Sequence, residues 1–389
     1  MKLKLQNSAG VARLSSVTTH QGGFGLVELM ISMLIGLVII GALVSLFVNT
    51  SGNNRELARA NSMIENGRFA IKVLEDDLTH AGYWSGHMPL FDDQTSNDDP
   101  TPEVPTGVPD PCLPYDPADW DAAYKTNLVG IPLQAYDDPA AVGTCVAEGV
   151  IDDYQADTDL LVVRHTETCV PGEGGYCEAD VAGNLYMQTS FCETEATPYV
   201  FDTSGYTLTE RDCAAVAEKR KFVSNLYYVR DYAVTAGDGI PTLVRSQFDL
   251  SGALAHQAPV ALVEGIEAFR IELGVDDVSK TGAAVDYTVA VDWLDPDDRT
   301  TPTNRGDGVP DGAYVRCSPG CTASDLMNAT SARIYVLARS REASPNYTDT
   351  KTYTLGSAGA VGPFNDNFKR HVFTTTVRLT NISGRRMSP

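Results

Sequence analysis

Positive charge is scarce in this chain: 29 Lys and Arg stand against 51 Asp and Glu, a formal net charge of −22. A field of that sign argues against general binding of nucleic acid or anionic lipid by the protein as a whole. Histidine is scarcer still, with six residues, and no G-x-S-x-G elbow, H-E-x-x-H helix or phosphate-cradling glycine loop occurs. The usual signatures of hydrolase, zinc-protease and nucleotide chemistry are therefore missing, and a membrane-anchored periplasmic enzyme would need residues far apart in sequence to converge. No C-x-x-C pair is present, which weighs against structural zinc. Acidic residues are absent from residues 1–23, a stretch that carries Lys2, Lys4 and Arg13. The positive-inside rule assigns such a flank to the cytoplasm and the large C-terminal part to the other side.

Beyond that flank lies a nearly unbroken apolar run over residues 24–48, interrupted by one carboxylate, Glu28. As a helix, 25 residues at 1.5 Å each span roughly 37 Å, enough to cross a bilayer core of about 30 Å with some tilt. A bare carboxylate in hydrocarbon costs several kcal/mol unless it neutralises or meets a cation, and the run supplies none. A cut between Gly23 and Phe24 would create one, because the new α-amino group would lie one helical turn from Glu28 or beside Glu28 of a neighbouring chain. A secretory signal would instead have an apolar region of about 7–15 residues ending at its cleavage site. Here the candidate cut precedes the run, so the anchor survives and residues 24–389 keep 26 basic against 51 acidic residues, a net charge of −25.

All eight cysteines lie beyond the apolar run: Cys112, Cys145, Cys169, Cys177, Cys192, Cys213, Cys317 and Cys321. An even number in an exported region favours disulfides in an oxidising periplasm. Proximity suggests Cys317 with Cys321 and Cys169 with Cys177, and leaves the other pairings open. Helical periodicity resumes past the polar residues 49–54, with Leu57, Ala60, Ile64, Gly67, Ile71, Leu74 and Leu78 on one stripe. Arg55, Arg59, Glu65, Arg68, Lys72, Glu75 and Asp76 occupy the opposite face, and Gly82 is placed as a C-terminal cap.

Candidate strands come next, at residues 160–164, 226–232, 242–247, 269–273, 287–293, 332–338 and 371–379. A one-striped helix and strands with one apolar face complement each other. The expected fold class is α+β, with a long N-terminal helix packed on a mainly antiparallel sheet head carrying long disulfide-pinned loops. The expected organisation is a leader at 1–23, a helix at 24–82 with its membrane part at 24–48, and a β-rich head at 83–389. Pro and Asp crowd residues 91–125, so an irregular insertion is expected over about 85–155.

Gly23-Phe24, with Glu28 at the fifth position after the cut, resembles the class III signal of type IV prepilins and pseudopilins. Further patches are similar to PilW-type minor pilins: Glu65-Asn66-Gly67-Arg68-Phe69-Ala70, Ala81-Gly82-Tyr83-Trp84, Glu264-Gly265-Ile266-Glu267, residues 332–340 and residues 370–377. The resemblance implies a prepilin peptidase that cuts after Gly23 and methylates the Phe24 amine, and a subunit-registering role for Glu28. It also implies a non-catalytic minor pilin that joins other minor pilins and the major pilin at the fibre tip and supports a PilY-type adhesin. Its expected location is the inner membrane, crossed once with the head periplasmic, and then the surface pilus. A J-type minor pseudopilin of a type II secretion system shares the leader and helix and is the alternative.

Three smaller features stand apart from that resemblance. Asp295, Asp297, Asp298, Asp307 and Asp311 sit among glycines and make an oxygen-rich candidate for Ca²⁺, although the EF-hand spacing is absent. Arg305-Gly306-Asp307 is a tripeptide that integrin-type receptors read, but three residues carry little information. Lys369, Arg370, His371, Arg378, Arg385 and Arg386 form a basic cluster that reads as a solvated strand face and tail, with no motif for specific nucleic-acid binding.

Overall fold

A computed structural model describes Gly23, residues 25–94 and residues 96–387. Phe24 and the leader cations Lys2, Lys4 and Arg13 lie outside the described residues. The chain divides into two compact units, Met1–Leu57 and Ala58–Pro389.

From Leu26 onward the first unit is the initial part of helix α1, which as a whole runs Leu26–His80. The backbone stays helical through the polar residues 49–54 and through Gly36, Gly41 and Gly52. Every large apolar side chain from Leu26 to Val48 is at least 51% exposed. A helix that is apolar all round and uncovered by its own chain has lipid or other helices as its stable surroundings.

The second unit begins with the rest of α1. Met63, Gly67, Ala70, Leu74 and Leu78 are buried, while Ile64 and Ile71 are partly buried. The stripe therefore lies slightly to one side of the expected one and does not include Leu57, which is 61% exposed. Leu74 and Leu78 are fully buried, and each contributes about 1.5–3 kcal/mol of apolar transfer. Close approach depends on Gly67, where a Cβ would stand 2.1 Å from the Phe373 ring.

The helix stops where expected. Gly82 takes φ +75°, a conformation that costs glycine little, and its N–H bonds the carbonyl of Arg164. Asn381, from the other end of the chain, donates to the carbonyls of Thr79, His80 and Ala81 at 3.2–3.3 Å. These are among the carbonyls a helix end leaves without partners.

The strands are β1 (Leu133–Tyr136), β2 (Leu160–Thr166), β3 (Tyr186–Thr189), β4 (Tyr199–Asp202), β5 (Lys219–Arg230), β6 (Thr242–Ser251) and β7 (Ala253–His256). After them come β8 (Val260–Glu264), β9 (Ile266–Val275), β10 (Ala329–Arg339), β11 (Tyr353–Thr354), β12 (Ala360–Val361) and β13 (Arg370–Arg378). All pairings are antiparallel. An eight-stranded sheet is organised on β5, which pairs with β3, β2 and β6. A three-stranded sheet runs β13-β10-β9. Leu74 and Leu78 share one core with Val163 and Tyr227 of the larger sheet and with Phe269, Ile334 and Val377 of the smaller one. The fold is thus α+β, with one helix face against two antiparallel sheets.

Two expectations need correction. Residues 287–293 form no strand, because side-chain bonds to backbone compete with a ladder there: Asp286 accepts locally from the Thr288 amide at 3.0 Å, and the Trp293 indole donates to the Ser96 carbonyl of a distant segment. The insertion at 85–155 is not irregular throughout. It contains helix α2 (Ala122–Gly130) and β1, and it buries Phe91, Trp120 and Leu128.

Candidate functional site: Glu28 and the charges of the head

Glu28 sits in the first turn of α1, where the helix dipole favours an acid. Its Oε2 accepts from the Gly25 amide at 3.1 Å, a bond to one of the N–H groups that a helix start leaves free. Among the described residues no cation pairs with it. Gly23 lies five residues before it in sequence, outside the helix.

Charges in the head are treated differently. Arg370, at the start of β13, is buried and pairs with Glu267, with Asp349 at 3.0 Å and with Asp366 at 2.7 Å. Arg386, fully buried in helix α3 (Thr380–Arg386), meets Asp92 at 2.8 Å and donates to the Met327 carbonyl and the Asn328 side chain. Arg385 also faces Asp92, at 3.4 Å. The expectation of a solvated basic face fails for these three arginines because Glu267, Asp349 and Asp92, all far away in sequence, pair with them and leave Arg370 and Arg386 buried and Arg385 half-buried. His371 and Arg378 are exposed as expected.

Burial sets the protonation of several groups. It raises the Asp276 carboxyl to about 6, against the pull of Arg386 and two backbone amides. It lowers His87 and His256 to about 3, leaving both rings neutral. His165 is raised: burial opposes the charge, but Asp77, 3.0 Å away, outweighs it. None of these buried groups could be located from sequence, since their environments come from separate elements.

All eight cysteines are paired: Cys112–Cys145, Cys169–Cys177, Cys192–Cys213 and Cys317–Cys321. The two short-range pairs agree with the proximity argument, and no thiol is left for zinc. The five candidate calcium aspartates do not converge. Asp295 caps a short helix, Asp298 accepts from Asp292, Asp307 from Val309 and Asp311 from Val278. Among the described residues no group of three or more His, Cys, Asp or Glu side chains is placed to hold a metal ion. Arg305 is 1% exposed and stacks on Trp293, so the Arg305-Gly306-Asp307 tripeptide does not offer its cation to a receptor.

Comparison with known proteins bears on this arrangement. Residues 226–381 match the family described as Type IV Pilus-assembly protein W, and residues 18–44 match the prokaryotic N-terminal methylation motif. No functionally curated protein matches the sequence. Among solved structures, Type IV-like pilin TTHA1219 from Thermus thermophilus is similar at 13% identity and a TM-score of 0.28, over 64% of this chain and 82% of that one. At that score the likeness adds nothing to what this chain's own elements establish. The chain is thus similar over residues 226–381, from β5 to just past β13, to the pilus-assembly family, and around Glu28 to the N-terminal methylation motif.

Proposed function

We propose that this chain is a minor pilin which waits in the inner membrane, head outward, and joins other minor pilins at the tip of a type IV pilus. In this reading a prepilin peptidase cuts between Gly23 and Phe24 and methylates the new amine. Glu28 then meets an amine, in its own chain or a neighbour's, and the apolar helix leaves lipid only when other helices cover it. The assembled tip primes fibre growth and carries a PilY-type adhesin. The protein works by packing and registration, without catalysis.

The observation that supports this best is a single carboxylate, without a cation among the described residues, at the start of an uncovered apolar helix that comes just after a candidate cut site. Replacing Gly23 by Val tests it. Full-length precursor should accumulate in the membrane and fibres should lose the subunit. An unchanged mature mass would move the cleavage elsewhere and remove the proposed amine.

A further inference from the structure

The two edges of the three-stranded sheet differ. Along β9 the outward backbone groups are spent within the chain. The Ile271 N–H donates to Asp159 Oδ2 at 2.8 Å, the Phe269 carbonyl accepts from the Asp159 N–H at 3.1 Å, and Leu273 exchanges two bonds with Val315, each 2.8 Å. Phe269, Ile271 and Leu273 therefore face away from β10. Successive residues of a strand turn their backbone groups to opposite sides, so Arg270 and Glu272 bond to Tyr335 and Arg333 of β10, and Ile334 and Val336 bond to Thr375 and Phe373 of β13. Two bonds at the strand ends fit this alternation: the Ser340 N–H to the Lys369 carbonyl at 2.8 Å, and the Leu379 N–H to the Thr330 carbonyl at 2.9 Å.

On β13, Val372, Thr374 and Thr376 thus turn their N–H and C=O groups away from β10. Among the described residues nothing bonds to them. The strand is nine residues long, its register against β10 is unbroken, it contains no proline, and Thr374, Thr376 and Arg378 are exposed. Sheets ordinarily blunt an edge with a bulge, a proline or covering chain, as this chain does at β9, because an open edge is a template for another strand.

Side chains give the open edge a polarity. Thr374, Thr376 and Arg378 share one sheet face with Arg333 of β10, while Phe373 and Val377 share the other, apolar face. Arg333 lies over the Tyr314 ring at 3.9 Å and donates to Thr376 Oγ1 at 3.4 Å, and Arg378 donates to Ser383 Oγ at 2.7 Å. Neither forms a salt bridge among the described residues, in a chain where 51 acids outnumber 29 bases. Glu272, opposite Arg333 on β9, is buried and accepts from the Tyr335 hydroxyl and the Ser357 amide. β13 itself holds Arg370, His371 and Arg378 and no acid, so pairing it with β13 of a second copy would set cation toward cation.

We propose that the free edge of β13 receives an extended segment of a partner protein as a further strand of this sheet. Its backbone would bond to Val372, Thr374 and Thr376, its acidic residues would lie on the face of Arg333 and Arg378, and its apolar residues would lie on the face of Phe373 and Val377. That the partner is a neighbouring protein of the fibre tip rests on the function proposed above; the open edge and its charge do not.

The test uses the full chain in detergent, labelled at threonine, with acetyl-Val-Glu-Val-Thr-Val-Glu-Val-amide and its counterpart carrying Lys for both Glu. Amide hydrogen exchange is followed by NMR. In the free chain the Thr374 and Thr376 amides should exchange at least tenfold faster than that of Thr375, which bonds to β10. Saturation with the Glu peptide should slow both at least tenfold, and the Lys peptide should bind about tenfold more weakly. T374P removes one outward N–H at an edge position where proline is tolerated, and should abolish binding. R378E should reverse the preference between the two peptides, and it carries the test if T374P does not fold. Unchanged exchange at Thr374 and Thr376 with the Glu peptide, or equal binding of both peptides, would overturn the proposal. So would free-chain amides as slow as Thr375; protection that grows with protein concentration would make a second copy the occupant. None of these results depends on fibre assembly, so failure here leaves the pilin reading standing, and failure of cleavage at Gly23 leaves the open edge standing.

Discussion

The head and the N-terminal helix handle charge in low dielectric in opposite ways. In the head, Arg370 and Arg386 are enclosed, yet each has acids within about 3 Å and further polar groups on its remaining donors. On the helix, Glu28 has a backbone amide and, among the described residues, no cation. A buried pair whose partners come from one chain stabilises that chain's fold. Under the proposed function, an acid left without a partner on an apolar surface makes assembly, rather than folding, the step that completes it. On that proposal the head is finished alone and the helix is finished by others.

The sharpest way to break this comparison is to remove the acid. Glu28→Ala should lower incorporation into fibres at least tenfold, roughly the effect of losing one charge-assisted contact in an apolar setting, while the thermal unfolding of the head stays where it was. Normal piliation, or a shifted head transition, would show that the two regions are not separable in this way.

The converse experiment is Arg370→Ala. It strands Asp349, which is fully buried, and should cost the head about 3–5 kcal/mol in denaturant unfolding. A loss below about 1 kcal/mol, typical of exposed ion pairs, would mean that the network is solvated.

Gly67→Ala comes next. The added methyl gains about 1 kcal/mol of helix propensity but meets the Phe373 ring, so a net loss of about 1–2 kcal/mol is expected. A stabilised variant would show that the helix does not pack closely there.

The smallest net effect should be the response to pH. His87 and His256, both lowered to about 3, contribute stability that is complete above the ordinary histidine range and is lost as pH falls from about 6.5 toward 3. Asp276, raised to about 6, and His165, also raised, act with the opposite sign, favouring the fold more as each is protonated. A shallow melting-temperature profile between pH 7 and 5 is therefore expected. Replacing His256 by Gln should reduce the acid-side loss, and an unchanged profile would mean that this ring contributes none of it.

Local signals carried much of this into the sequence. The apolar run, the interruption by Glu28 and the cap at Gly82 all act within a few residues and are found where their spacing put them, while the stripe ending in Leu74 and Leu78 is shifted slightly to one side. The strands best seen in sequence were the long ones with alternating faces, such as β13 and β10. Short strands such as β1 and β4 carry too few residues to show a period, and they exist because β2 and β3 pair with them. Residues 287–293 misled for the opposite reason: they alternate well, but side-chain bonds to backbone hold them as a loop. The basic cluster misled most, because exposure was inferred from charge. Arg370 and Arg386 are buried, and Arg385 is half-buried, beside Glu267, Asp349 and Asp92, whose positions no local pattern reveals.

Intact-mass analysis of the subunit from sheared fibres tests the central claim most directly. The expected product is a chain that begins at Phe24 with one added methyl group on its amine and that retains Glu28. Fibre-borne protein that still begins at Met1 would contradict the claim, because the amine meant to meet Glu28 would not exist.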